Sequence, residues 1–187
     1  MKNHKKYQNY QNYQGDSNTK TYKEFPDTIP LFGVNQILYL DYVLESSLTH
    51  KLLKSDFRLM LPQIRKLGIR YLYACLVAVL KYYGRKFLPI KLKTLAERHG
   101  FKRLGRISVR WQKTRWGSCS EAANISLNAK LLLLPEYLLD YVLIHELIHT
   151  ENMSHNQNFK AKMASLVPNY KAYDRELKQI GNYLPIN

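Results

Sequence analysis

The sequence predicts an α+β fold in which a small antiparallel sheet packs on a strongly apolar helix. Apolar and polar residues alternate over residues 107–112 and again over residues 125–130, which is the pattern of half-buried strands. About ten residues join the two strands, too few for a crossover helix, so the strands are expected to be antiparallel. Residues 137–148 follow as an almost unbroken apolar stretch, which predicts a helix that is buried on most sides.

Two helices are predicted upstream of the strands. Apolar residues recur at three- and four-residue steps from Pro62 to about residue 83, which is the spacing of one helix face. Pro62 suits the first turn of this helix, and Gly84 suits its end. A shorter helix is predicted over residues 90–99, with Gly100 as its stop.

The second strand is expected to run on into the apolar residues 131–134. Pro135 then lies where the apolar helix can begin, because proline is tolerated in a first turn. Two more helical regions are predicted after it, over residues 156–166 and 172–182.

A tail is expected to precede the folded part. Residues 1–29 are rich in Tyr, Gln and Asn and show no helix or strand periodicity, so they bury too little surface to offset the entropy of ordering. They are predicted to be disordered and dispensable. Residues 30–187 are predicted to form the single domain that a chain of 187 residues favours.

Positive charge is concentrated in one block of the chain. The formal net charge is +15, and residues 51–115 hold 18 Lys and Arg against 2 Asp and Glu. Such a block attracts phosphate-rich partners, and it can equally serve only to keep a protein soluble. Nucleic acid or a nucleotide therefore stays open as a partner.

The remaining bulk features predict a cytoplasmic protein without a membrane segment. Cys75 and Cys119 are too few for a disulfide framework, which favours a reducing compartment. The longest apolar run, residues 71–80, is about half of the roughly 20 residues that span a bilayer. No apolar segment follows the first lysines, so no signal peptide is predicted.

The predicted apolar helix carries a pair of histidines with a glutamate between them. His145 and His149 are four residues apart, so their imidazoles project from the same helix face and can converge on one ion. Glu146 is offset by one residue and can reach a water on that ion without binding the ion itself. This five-residue motif is weak by itself, and a pair of satisfied core histidines explains it about as well.

A third histidine makes a metal site the better explanation. His155 follows His149 by six residues, the spacing of an extended zinc-binding signature that has a glycine where this chain has Asn152. Asn tolerates the left-handed conformation that this glycine allows, so Asn152 is expected to let the chain double back. Three imidazoles leave one position open for a Zn²⁺-bound water, whose proton Glu146 takes. Nitrogen ligands do not exclude manganese, iron or cobalt.

Several short stretches in this order resemble the YgjP-like metallopeptidases, relatives of the SprT-type proteases. The resemblance covers about residues 105–175, whereas the residues before 60 match the family poorly. The matching stretches are Lys113 to Ser120, Asn124-Ile125, Leu127-Asn128, Tyr141-Val142, His145-Glu146-Leu147, Ser154-His155 and Phe159.

The resemblance implies a zincin-like metallopeptidase domain, with an upstream helix and the small sheet packed on the active-site helix. It implies the metal-ligand role for His145, His149 and His155 and the general-base role for Glu146. A zinc-dependent hydrolase acting on a peptide or protein substrate is therefore the predicted function, with Zn²⁺ as its cofactor.

Two other functions stay open beside this one. A metal-dependent nucleotide phosphoanhydride hydrolase suits the basic block, although the sequence has neither a phosphate-binding glycine loop nor a carboxylate cluster for Mg²⁺. A nucleic-acid-associated protease also suits it, although no recognised nucleic-acid-binding motif is present. Arg115, Trp116 and Cys119 lie around a predicted turn at Trp116-Gly117-Ser118, and each is expected to be structural or a general surface residue.

Overall fold

The computed structural model describes residues 28–31, 36–43, 51–53, 58–62 and 69–183. A disordered tail was predicted over residues 1–29. Residues 1–27 of it lie outside the described ranges, so its disorder stays a prediction. The same holds for the proposed extent of the domain, residues 30–187.

The chain begins, in its described part, with a four-stranded sheet that the periodicity did not predict. Its strand order is β1-β2-β4-β3, with β2 and β4 parallel and the other neighbours antiparallel. Its strands are β1 (Thr28–Leu31), β2 (Gln36–Val43), β3 (Lys51–Leu53) and β4 (Arg58–Pro62).

One long helix, α1 (Ile69–Arg98), replaces the two helices that were predicted here. Pro62 ends strand β4 rather than beginning the helix, and Gly84 does not stop it. Gly84 lies in a tightly packed place instead, because a Cβ there would lie 3.1 Å from Cγ1 of Val109 and 3.5 Å from Ala129. The predicted start and break of the helix were therefore wrong.

The predicted end of α1 at Gly100 is confirmed. Gly100 has a φ of +74°, a left-handed conformation that glycine adopts without strain. Its N–H donates to the carbonyl of Glu97, and the N–H of Phe101 donates to the carbonyl of Ala96. This pair of hydrogen bonds is the Schellman arrangement, which satisfies the last carbonyls of a helix.

A second sheet has three strands in the order β5-β7-β6. The strands are β5 (Ile107–Arg110), β6 (Gly117–Cys119) and β7 (Ile125–Asn128). β5 and β7 are the two predicted strands, but they are parallel, so the predicted antiparallel pairing was wrong. The reason is β6, which lies in what was read as a turn: it reverses the chain on the far side of β7 and pairs with β7 antiparallel.

Asn128 ends β7 and holds the chain on both sides of it. The predicted extension of this strand into residues 131–134 was wrong, because a 3₁₀ helix (Ala129–Leu133) begins here, capped by the Asn128 side chain, which accepts from the N–H of Lys130. Asn128 Nδ2 donates to the carbonyls of Gln112 (2.9 Å) and Arg115 (2.7 Å). The Asn128 side chain is almost wholly buried. Because both of these carbonyl groups belong to the loop between β5 and β6, the two hydrogen bonds hold that loop in place.

The apolar helix forms as predicted and is α2 (Glu136–His149), with Pro135 directly before it. Ten of its fourteen residues are buried, which confirms that it is covered on most sides. Helices α3 (Gln157–Leu166) and α4 (Tyr170–Tyr183) confirm the two last helical predictions. Within the described residues, no helix has a stretch long and apolar enough to cross a bilayer.

The role of Asn128 predicts that Asn128→Ala destabilises the fold. The substitution leaves two carbonyl groups of the β5–β6 loop without their donor, which costs about 1–3 kcal/mol for buried groups. Urea unfolding should show this loss in the free energy of unfolding. Asn158→Ala, which removes an exposed asparagine of α3, is the control and should change that free energy by less than about 0.5 kcal/mol.

Candidate metal centre

The three predicted histidines converge on one point. His145 and His149 lie one turn apart on α2, and His155 lies in the loop that connects α2 to α3. Nε2 of His145 is 3.1 Å from Nε2 of His149 and 3.0 Å from Nε2 of His155. The ligand atoms of all three histidines lie within 4.8 Å of one another, so together they could hold one metal ion.

A backbone hydrogen bond fixes the protonation of one ring. Nδ1 of His149 is 3.0 Å from the carbonyl oxygen of Asn152. A carbonyl only accepts, so Nδ1 carries the proton and donates it, and Nε2 of the neutral ring keeps a free lone pair. Nε2 of His145 can share at most one proton with Nε2 of His149 and Nε2 of His155. A single cation, in contrast, can accept the lone pairs of all three nitrogens.

Asn152 shapes the loop by hydrogen bonds and not by a left-handed backbone. Ala123 is the one non-glycine residue with positive φ in the described part of the chain, so the conformation predicted for Asn152 was wrong. Its Oδ1 accepts from the N–H and the hydroxyl of Ser154, and its Nδ2 donates to Oδ1 of Asn156 at 2.7 Å. These bonds turn the chain back, and Asn156 then caps α3 by accepting from the N–H of residue 159.

One buried aromatic ring contacts all three imidazoles. The ring centroid of Phe159, on α3, lies 5.0 Å from that of His145, 4.7 Å from that of His149 and 4.6 Å from that of His155. Phe159 is itself buried. Its ring therefore limits the rotation of the three imidazoles, and this holds their nitrogens in the convergent arrangement.

Burial keeps the helix histidines neutral. Desolvation, and then the proximity of His149 and His155, lowers the pKa of His145 to about 4. Desolvation also lowers the pKa of His149, against the opposing effect of its hydrogen bond to Asn152. Neutral imidazole is the form that binds a metal ion, so these two rings are ready to do so at neutral pH.

Glu146 lies beside the cluster as a buried carboxyl. Its Oε2 atom is buried and has no hydrogen-bond partner among the described residues. Burial raises the pKa of Glu146 to about 7, and the charge of Arg115 opposes this shift. A buried carboxylate oxygen without a donor is rare in a folded protein, and it indicates a position that a water or a ligand fills.

Strand β6 approaches Glu146 closely at Gly117. A Cβ at Gly117 would lie 2.6 Å from Oε1 of Glu146 and 2.8 Å from its Cγ. Any side chain at position 117 would therefore push the carboxylate out of its place. Gly117 was predicted only as part of a turn, because no local pattern in the sequence links it to a residue of α2.

Arg115 and Cys119 flank that contact on either side. The charge of Arg115 acts on Glu146, which ties Arg115 to the site more closely than the sequence indicated. Burial, followed by the charge of Glu146, raises the pKa of Cys119 to about 11. Its thiol therefore stays protonated, and Cys119 does not belong to the histidine cluster. Trp116 is half-buried and packs against the core, as expected.

A sequence model described as the YgjP-like metallopeptidase domain matches residues 3–180. The chain belongs to the YgjP-like metallopeptidase family. The match begins far upstream of residue 60, so the limit set by the resemblance was wrong and the N-terminal sheet lies within the family domain. A metallopeptidase hydrolyses peptide bonds with the help of a metal ion, and the three histidines are placed where they could bind it.

Comparison with individual proteins adds little to the family assignment. No curated protein sequence matches this YgjP-like chain. Among solved structures, the metallopeptidase zymogen of Pyrococcus abyssi abylysin matches with 26% identity and a TM-score of 0.42. That match covers 47% of this chain and 90% of the other.

The contact between β6 and Glu146 predicts that Gly117→Ala impairs catalysis by this YgjP-like protein without removing its metal. The new methyl group displaces the carboxylate, and a misplacement of about 1 Å at a reacting group lowers turnover by about 10²-fold. Peptide hydrolysis and metal content of the purified variant measure the two effects.

Gly181→Ala is the matched control, because a Cβ at this position of α4 meets no atom within 4 Å. It should keep both activity and metal. Full activity in Gly117→Ala would mean that the carboxylate tolerates displacement.

Proposed function

We propose that the chain is a zinc-dependent metallopeptidase in which His145, His149 and His155 hold the metal and Glu146 is the general base. The observation that carries this proposal is the convergence of three Nε2 atoms beside a buried carboxylate oxygen that has no partner. Three imidazole ligands favour zinc and leave one coordination position open, which is the arrangement of catalytic zinc sites.

His145, His149 and His155 would hold the zinc, which would supply Lewis-acid activation of the attacking water and of the substrate carbonyl group. Glu146 accepts a proton from the attacking water at its buried carboxylate. After the water oxygen has bonded to the carbonyl carbon, Glu146 passes the proton to the amine nitrogen as the C–N bond breaks. Gly117 keeps the approach to Glu146 free of side-chain atoms throughout.

The position of Glu146 supports this division of roles. It follows His145 directly on α2, so its side chain leaves the helix about 100° away from the imidazole that precedes it. Its carboxylate lies against Gly117 of β6, and it is not among the clustered ligand atoms. A carboxylate in this place is suited to a water beside the metal and not to the metal itself.

The two rival functions are outcomes of the same assay. Metal-loaded protein is incubated with casein-derived peptides and, separately, with nucleoside triphosphates, each with and without a chelator. Chelator-sensitive cleavage of peptides supports the proposal. Release of pyrophosphate without peptide cleavage would replace it with a phosphoanhydride hydrolase, and peptide cleavage that requires DNA or RNA would support the nucleic-acid-associated protease.

The ligand assignment predicts the metal content of a histidine variant. Protein purified without chelator should hold close to one zinc per chain, and His155→Ala should lose most of it, because two imidazoles bind zinc far more weakly than three. Elemental analysis and competition with a chromogenic chelator measure this. His99→Ala, which removes the histidine at the end of α1, is the control and should keep its zinc. Unchanged zinc in His155→Ala would remove His155 from the site.

The base assignment predicts a separation of metal binding from turnover. Glu146→Gln keeps the shape of the side chain and removes the proton acceptor, so the variant should keep its zinc and its melting temperature. Its kcat should fall by about 10²–10⁴-fold, the usual contribution of general acid–base catalysis. Glu151→Gln, at an exposed glutamate after α2, is the control and should keep full activity. If Glu146→Gln were fully active, the proposed mechanism would be wrong even with zinc bound.

A further inference from the structure

The segment that leads into β6 is strongly basic. Residues 102–115 contain six Lys and Arg, all of them exposed, and no Asp or Glu. Two of these residues lie next to the site by position: Arg103 contacts Thr150 at the end of α2, and Arg115 lies two residues before Gly117, which packs against Glu146. These two arginines are the candidates for contacts with a substrate.

Arg103 is already engaged with the protein. Its guanidinium donates to the carbonyl oxygen of Glu121 and, at 3.4 Å, to that of Thr150 at the end of α2. These bonds tie the loop before β5 to the turn after β6 and to the metal-binding helix. The donors of Arg103 are thus used to hold the fold together.

Arg115 combines a fixed backbone with a free side chain. Its carbonyl accepts from Nδ2 of Asn128 at 2.7 Å, and the carbonyl of Trp116 accepts from the N–H of Asn128 at 2.8 Å. Two residues later the chain reaches Gly117, which lies against Glu146. The Arg115 side chain is exposed, and no hydrogen bond or ion pair joins its guanidinium to any described residue.

We propose that Arg115 is a specificity-determining residue that binds an acidic side chain of the peptide substrate close to the cleaved bond. The inference rests on the proposed peptidase function and names its substrate class. A guanidinium binds a carboxylate through two parallel hydrogen bonds, which gives both strength and orientation. The Arg115 side chain is exposed to solvent, so a substrate side chain can reach its guanidinium.

The same surroundings favour a carboxylate over a chain of phosphates. A nucleoside triphosphate needs several donors that converge on it, as in a glycine-rich phosphate loop. Of the two arginines next to the site, Arg103 donates to carbonyl oxygens, and only Arg115 has donors that bind no described residue. One free guanidinium matches one acidic side chain.

The experiment starts with the substrate preference of the wild-type enzyme. Zinc-loaded protein is given a peptide mixture, and the cleaved bonds are identified by mass spectrometry. Glu and Asp should be enriched at one position near those bonds. Two synthetic peptides then differ only there, one with Glu and one with Gln, and wild-type kcat/KM should favour the Glu peptide by about tenfold, the value of one charge-assisted hydrogen-bonded pair.

Three variants test whether Arg115 causes that preference. In Arg115→Ala the ratio of the two kcat/KM values should fall to about one, through a higher KM for the Glu peptide, with the Gln peptide little affected. Arg115→Lys should keep part of the preference, because it retains the charge but not the paired donors. Arg110→Ala is the matched control: β5 carries an exposed arginine on the other side of β7 from β6, and its loss should leave the ratio unchanged.

Other results overturn the proposal. A wild-type enzyme that does not distinguish the peptides, an unchanged ratio in Arg115→Ala, or an equal fall on both peptides would each do so. The same effect in Arg110→Ala would assign the preference to general charge. Pyrophosphate release from nucleotides that is lost in Arg115→Ala would assign Arg115 to a phosphate.

A binding measurement separates this inference from the proposed function. Fluorescein-labelled ten-residue peptides, each with a central Glu or Gln, are titrated with zinc-loaded Glu146→Gln protein with and without Arg115→Ala. Tighter binding of the Glu peptide that Arg115→Ala abolishes supports the role of Arg115, even if no peptide is cleaved. Equal binding of the two peptides overturns that role, even if the peptidase activity is confirmed.

Discussion

The structure depends on the burial of ionisable side chains in one apolar helix. Helix α2 places His145, Glu146 and His149 among side chains that exclude water, and burying such groups costs several kcal/mol unless they are neutral or partnered. Desolvation acts in opposite directions on them: it lowers the pKa of the histidines and raises that of the glutamate. All three are therefore displaced towards their neutral forms, and a cation at the cluster would favour the charged carboxylate and the free imidazole nitrogens.

Residues from different parts of the chain surround α2 and support its buried ionisable side chains. The carbonyl oxygen of Asn152 accepts from Nδ1 of His149, and Phe159 contacts the three rings. From the other side, β6 reaches Glu146 through Gly117, and Asn128 holds the residues that lead into β6. Each of these residues supports the site by position or packing, so the geometry of the proposed chemistry depends on residues that take no part in it.

The features that the sequence predicted correctly are local ones. The four-residue spacing of His145 and His149, the apolar stretch of α2 and the stop at Gly100 each depend on neighbours within about one or two helix turns. The predictions failed where distant packing decides. Gly84 has the appearance of a helix stop, yet it serves the contact between α1 and β5, and the direction of β5 against β7 depends on a three-residue strand too short to show a period. The left-handed backbone predicted for Asn152 was wrong for another reason: the hydrogen bonds of its side chain make the turn.

The same distinction separates the proposed chemistry from the proposed selectivity. The proposed metal ligands and the proposed base lie on α2 and the loop after it, within eleven consecutive residues, so their arrangement follows from helix geometry and one short turn. Arg115 comes to the site only because Asn128 and the pairing of β6 with β7 bring it there. A substitution at Arg115 leaves the contacts of the three histidines in place. Substrate preference can therefore change without loss of the metal, since the two properties depend on different elements of the fold.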